Sequence, residues 1–228
     1  MTKPHTSPKR SPSEAPPEIR LNTEGDWPSF TDLTQEQIDV YEEATARYAR
    51  ELTDDLDQVR KWIFRNLGSS EMLGALMFLF EEDRIRERDW LVLLGDLWCN
   101  SDNIAFFKER IVGCIEQIGR DPSTVIPELM TKDEFTAFDA LPDKITIYRG
   151  CGPRNKAGWS WSLSREKAVR FPFMSRYWSD KPTLLTATIS KWRAAALKLE
   201  RNEQEVIVIE LPETCWTEEL ITEPPPVK

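Results

Sequence analysis

Two glutamates two residues apart, Glu203 and Glu205, stand at the leading end of residues 201–209 (RNEQEVIVI). The second half of that stretch is β-branched and apolar with no Gly or Pro, which predicts a buried strand. A strand's period of two puts both carboxylates on one face, so two like charges share one site. Carboxylates are costly to bury alone. The pair therefore either meets water at a strand start or faces a cleft with cationic or hydroxyl company. Such company lies upstream. Arg149 and Gly150 close a short predicted strand (144–148, KITIY), and residues 158–164 (GWSWSLS) alternate hydroxyl with bulky side chains. On a strand, Ser160, Ser162 and Ser164 share one face, and Trp159, Trp161 and Leu163 the other. The surrounding segment, 143–200, carries twelve Lys or Arg against four Asp or Glu. That local charge suits either a phosphate-bearing ligand or a solvated basic face.

The whole chain has the opposite balance. Its 228 residues hold 39 Asp plus Glu against 30 Lys plus Arg, a formal charge of −9, which argues against a general nucleic-acid or anionic-membrane binder. Cys99, Cys114, Cys151 and Cys215 stand singly, and the one histidine, His5, lies in the N-terminal tail. No metal is expected, and nucleophilic catalysis of the Ser-His or Cys-His kind lacks its base. Nothing reads as a signal peptide or membrane span, so a cytoplasmic protein with reduced thiols is the expectation.

These residues need elements to hold them. Residues 1–26 are Pro- and Ser-rich with almost no large apolar side chains, which predicts a flexible tail. Helical periodicity then recurs over 34–52, 54–67, 70–80, 89–98, 102–118 and 131–140, with a capping box at 34–37 and Gly68 placed to end the second helix. The aromatic and methionine side chains of this region, including Trp62, Met72, Met77, Trp90 and Trp98, read as core. After Pro142 the pattern changes to strands at 144–148, 158–164, 183–189, 195–199 and 206–209, with a helix over 165–173 that Ser164 can cap.

The series YRG, then GWSWSLSREKAVRF, then NEQEV resembles the toxin-like mono-ADP-ribosyltransferases, whose signature is an arginine, a Ser-x-Ser strand and a Glu-x-Glu pair. The resemblance covers about residues 143–212. It implies NAD as substrate and transfer of ADP-ribose to a protein acceptor, with an arginine favoured because Glu rather than Gln stands at 203. It further implies that Arg149, with Gly150 beside it, binds NAD, that Ser160 orients the catalytic carboxylate, that Glu205 is that carboxylate, and that Glu203 steers the acceptor. Ser160, Trp161 and Ser162 join Arg149 and Gly150 as the NAD-binding set it implies; Ser162 also supports the strand, and Trp161 is open to two readings, core or a stacking surface for nicotinamide. The family's usual Ser-Thr-Ser is here Ser160-Trp161-Ser162. Family habit also implies a phage or bacterial effector acting in a host cytoplasm.

The expected fold is therefore α+β: a helical region over 27–141, a compact mixed β-core over 142–222 in which two small sheets frame an NAD cleft, and a flexible end at 223–228. Two rival functions stand beside the transferase. One is an NAD glycohydrolase using the same site, and the other a non-catalytic module whose acidic helical surface occupies a basic site on a partner.

Overall fold

The computed structural model describes residues 55–174, 177–200 and 204–222. The helix expected at 34–52, the tail at 1–26, the end at 223–228 and Glu203 lie outside them. The protein is α+β, with six α-helices among the described residues and one antiparallel sheet of six strands.

The helices come first. α1 (Leu56–Asn66) is N-capped by Asp55, whose carboxylate accepts from the N–H groups of Asp57 and Gln58, and buries Val59 and Ile63 on one face. α2 (Met72–Glu81) is apolar nearly all round, so every residue from 72 to 79 is buried. α3 (Glu87–Trp98) packs backbone to backbone on the turn Pro127–Leu129, because Gly95 carries no side chain: a Cβ there would lie 2.2 Å from the Leu129 carbonyl oxygen. α4 (Lys108–Gln117) begins six residues later than periodicity predicts. The chain from 102 to 107 is held instead by tertiary bonds, with the Asp102 N–H donating to Ser69 O at 3.1 Å and buried Asn103 donating its amide to Ser70 O at 2.6 Å. Gly119, at φ +78°, ends α4, with its own N–H bonded to Glu116 O and that of Arg120 to Ile115 O. α5 (Lys132–Asp139) starts with a capping box between Thr131 and Glu134.

The strands are β1 (Lys144–Cys151), β2 (Ser160–Ser162), β3 (Thr183–Ser190), β4 (Ala196–Lys198), β5 (Glu205–Ile207) and β6 (Trp216–Leu220), with α6 (Arg165–Arg170) between β2 and β3. Their order across the sheet is β4-β5-β2-β1-β3-β6. The expectation of two small sheets in a mixed core is thus corrected to one antiparallel sheet. Its two halves are nevertheless weakly joined. β1 pairs with β3 along all eight of its residues, and β2 with β5 along all three, whereas β1 and β2 meet only at Tyr148↔Ser162. β6 has no counterpart in the sequence expectation. It is an exposed edge strand, and its identity comes from pairing with β3 rather than from apolar alternation.

One continuous apolar core runs from Val59 of α1 through α2 to α4 and into Ile145, Ile147, Trp161, Leu197, Val206 and Ile209 of the sheet region. The helices thereby cover apolar surface that about 80 residues of sheet would leave open. A buried ion pair reinforces the contact: Lys198 of β4 donates to Glu134 Oε2 at 2.8 Å and to Leu129 O at 3.1 Å, and the Leu199 N–H donates to Glu134 Oε1 at 3.1 Å.

Candidate functional site

The site opens where the ladder between β1 and β2 stops. Beyond Tyr148↔Ser162 no backbone pair joins these strands, and a cavity of about 280 Å³ occupies the gap. Its lining includes Tyr148, Arg149 and Gly150 of β1, Ser160, Trp161 and Ser162 of β2, and Glu205 of β5. Cross-strand register orders the polar side chains. Lys198, Glu205, Ser162 and Tyr148 are directly paired in turn across β4, β5, β2 and β1, so they form a row on one face of the sheet.

Arg149 spans the gap. Its Nη1 donates to Ser160 O at 2.6 Å, and its Nε and Nη2 donate to Asn155 O at 3.3 and 2.8 Å. The side chain thus links β1 to the β2 backbone where the ladder is missing. Two of its five N–H groups remain for a ligand. Burial holds the guanidinium below its ordinary range, against the opposing pull of Cys151 and Glu205. Gly158 and Gly150 are both required by close approach. A Cβ at Gly158 would fall within 1.8 Å of Arg149 Nη2, and one at Gly150 within 1.8 Å of the Ala168 carbonyl oxygen of α6.

A second cation comes from the helical region. Lys108, the first residue of α4, donates to Ala157 O, and its Nζ lies 5.1 Å from the ring centroid of Trp159. Burial, and then the neighbouring charge of Arg149, lower its ammonium below the ordinary range. Among the described residues neither Lys108 nor Arg149 has an acidic ion-pair partner. Two unneutralised cations beside a cavity favour an anionic ligand.

Glu205 is half-buried. Its Oε1 accepts from Trp98 Nε1 at 2.9 Å, and its Oε2 from Cys99 Sγ at 3.6 Å. Burial first, then the charge of Glu205, raise the Cys99 thiol far above its ordinary range, so it faces the carboxylate as a protonated donor. No family model matches the chain, and no curated protein or solved structure does either.

Ser160 lies opposite Ile207, two positions along from the Ser162↔Glu205 pair, and its hydroxyl makes no bond to Glu205. Ser162 is buried, and its Oγ accepts from the Ser164 N–H at 3.0 Å. Trp161 is 2% exposed, packs at 5.8 Å between ring centroids on Trp216, and leaves its Nε1 without a hydrogen-bond partner among the described residues. Arg149, Gly150, Ser160, Trp161, Ser162 and Glu205 therefore all reach one cavity. Glu203 lies outside the described residues.

Sequence reasoning missed Trp98, Cys99 and Lys108. Trp98 ends an apolar helix and has the appearance of core; no local signal ties it to Glu205. Lys108 follows two phenylalanines at the start of a helix, where a solvated lysine is ordinary. No group of three or more metal-ligating side chains occurs among the described residues, and no helix there is long and apolar enough to cross a membrane.

Proposed function

We propose that the chain is an NAD-dependent mono-ADP-ribosyltransferase that modifies a protein acceptor, with arginine the favoured residue. The observation that carries this reading is the convergence of Arg149, Ser160, Ser162 and Glu205 on one cavity, at the break between β1 and β2. The motifs that hold these residues are those through which the sequence resembles the family.

The chemistry agrees with the layout. Breaking the bond between ribose C1′ and the nicotinamide nitrogen leaves the electron pair on nicotinamide and positive charge on the ribose. A nearby carboxylate stabilises that charge, and Glu205, which lines the cavity together with Asp102, is the one carried on the sheet. The diphosphate of NAD needs cations, and the two remaining N–H groups of Arg149 offer charge-assisted hydrogen bonds. An acceptor guanidinium nitrogen then bonds to C1′ and gives up a proton. Glu203 is the residue that would steer that acceptor.

The test incubates the full chain and its Glu205→Ala variant with labelled NAD and a cell lysate, reading free nicotinamide and label on protein. Label transferred by the wild type and lost in the variant supports the transferase. Nicotinamide release without label assigns a glycohydrolase. No turnover and no NAD binding remove the reading and leave the acidic interaction module.

A further inference from the structure

We propose that Trp98 is a positioning residue for Glu205, so that the helical region supplies part of the working site as well as part of the core. This rests on the reading of Glu205 as the carboxylate that faces the ribose.

The contact between them is specific. Trp98 is 1% exposed, its indole N–H is a donor only, and it meets Glu205 Oε1 at 2.9 Å. A hydrogen bond to an ionised carboxylate is stronger and shorter than one between neutral groups. Cys99 meets the other oxygen, so both oxygens are engaged from the end of α3.

The donor is itself held in place. The Trp98 ring stacks on Trp159 at 6.3 Å between centroids with an interplanar angle of 11°. Trp159 in turn lies under the Lys108 ammonium. One turn back along α3, Gly95 brings the helix into backbone contact with Leu129. A glutamate on a strand end ordinarily samples several rotamers. Here one is selected by a ring that cannot turn away. The geometry assigns Trp98 the orienting task that sequence resemblance assigns to Ser160.

Two measurements on the full chain test this. In the first, the Trp98 indole 15N–1H resonance is compared between the wild type and Glu205→Gln, which keeps an acceptor but removes the charge. An upfield movement of this resonance is expected; no movement overturns the proposal, whatever the enzyme does. In the second, Trp98→Phe keeps an aromatic ring but removes the N–H. The expected result is a fall in kcat of about 10- to 100-fold with KM for NAD within about twofold, the pattern of a misplaced reacting group rather than lost binding. Full turnover by a folded Trp98→Phe overturns the proposal. Where that variant does not fold, the resonance comparison decides alone. A wild type that consumes no NAD overturns the functional reading and the positioning role with it, while the resonance still reports the contact itself.

Discussion

Gly158 leaves room for Arg149: a Cβ at that position would lie 1.8 Å from Nη2 and 2.1 Å from Cζ of the guanidinium. Arg149 is fixed by the Asn155 and Ser160 carbonyls, so it cannot yield without breaking those bonds. Gly158→Ala is expected to expel the guanidinium and to raise Kd for NAD by about tenfold or more, the equivalent of one charge-assisted hydrogen bond. Isothermal titration with NAD checks it, and unchanged affinity would remove Arg149 from the binding site.

Lys108→Met removes the second cation while keeping much of its aliphatic stem over Trp159. KM for NAD should rise by about tenfold, with a shallower dependence of affinity on ionic strength than the wild type shows. Steady-state kinetics at two salt concentrations measures both.

The buried pair Glu134–Lys198 makes the acid limb of stability predictable. Burial works against the Glu134 carboxylate, but the Lys198 hydrogen bond and the Thr131 and Leu199 N–H groups outweigh it and hold the group below its ordinary range. A depressed carboxylate stabilises the fold above its unfolded pKa. That contribution is lost as pH falls below about the model-peptide range of 4.3. Glu134→Gln leaves Lys198 buried without its counter-charge and should cost about 3–5 kcal/mol. Glu134→Gln with Lys198→Met should recover part of the loss. Urea unfolding between pH 3 and 7 reads both effects.

On the alkaline side the thiols act in the opposite sense. Burial pushes Cys114 up to about 11, and raises Cys99 and Cys151 as well. Unfolded thiols ionise first, so stability should fall as pH rises from about 8.5, the ordinary cysteine value, through the raised values of the folded thiols. At pH 8, iodoacetamide should label exposed Cys215 before the other three. Because Glu205 is one of the charges raising Cys99, Glu205→Gln should speed alkylation there. Mass spectrometry over a time course resolves the order.

Gly95→Ala forces a methyl group against the Leu129 backbone, where the nearest three atoms lie at 2.2 to 2.8 Å. Alanine's better helix propensity gains about 1 kcal/mol, yet overpacking costs about 1–3 kcal/mol and here meets backbone rather than a flexible side chain. A lower midpoint in urea is the expected outcome.

Local pattern carried much of this architecture. The apolar run that became α2, the helical spacing of α1 and α3, and the β-branched stretches behind β1, β3 and β5 were visible because burial leaves a period in the sequence. The late start of α4 was not, since Asn103 and Asp102 are held by Ser70 and Ser69 across the fold. Nor was β6: on an exposed edge, WTEEL needs no alternation to pair with β3. The single sheet was hidden because its halves meet at one residue pair, Tyr148↔Ser162. The grouping of Arg149, Ser160, Ser162 and Glu205 was anticipated from motif order. The partner of Glu205 was not, because a tryptophan at the end of an apolar helix has the same sequence signature whether its N–H meets a carboxylate or a carbonyl.

The bond between Trp98 and Glu205 joins residues 107 positions apart, and this sets when the site can exist. Synthesis delivers the helices first, at about 5–20 residues per second. β5 follows all six of these α-helices and four of the strands in chain order. A nascent or truncated chain can hold Arg149 or Trp98, but without residue 205 it holds no carboxylate for Trp98 to orient. Arg149 and Trp98 therefore exist for a time as parts of a site whose acid has still to be synthesised.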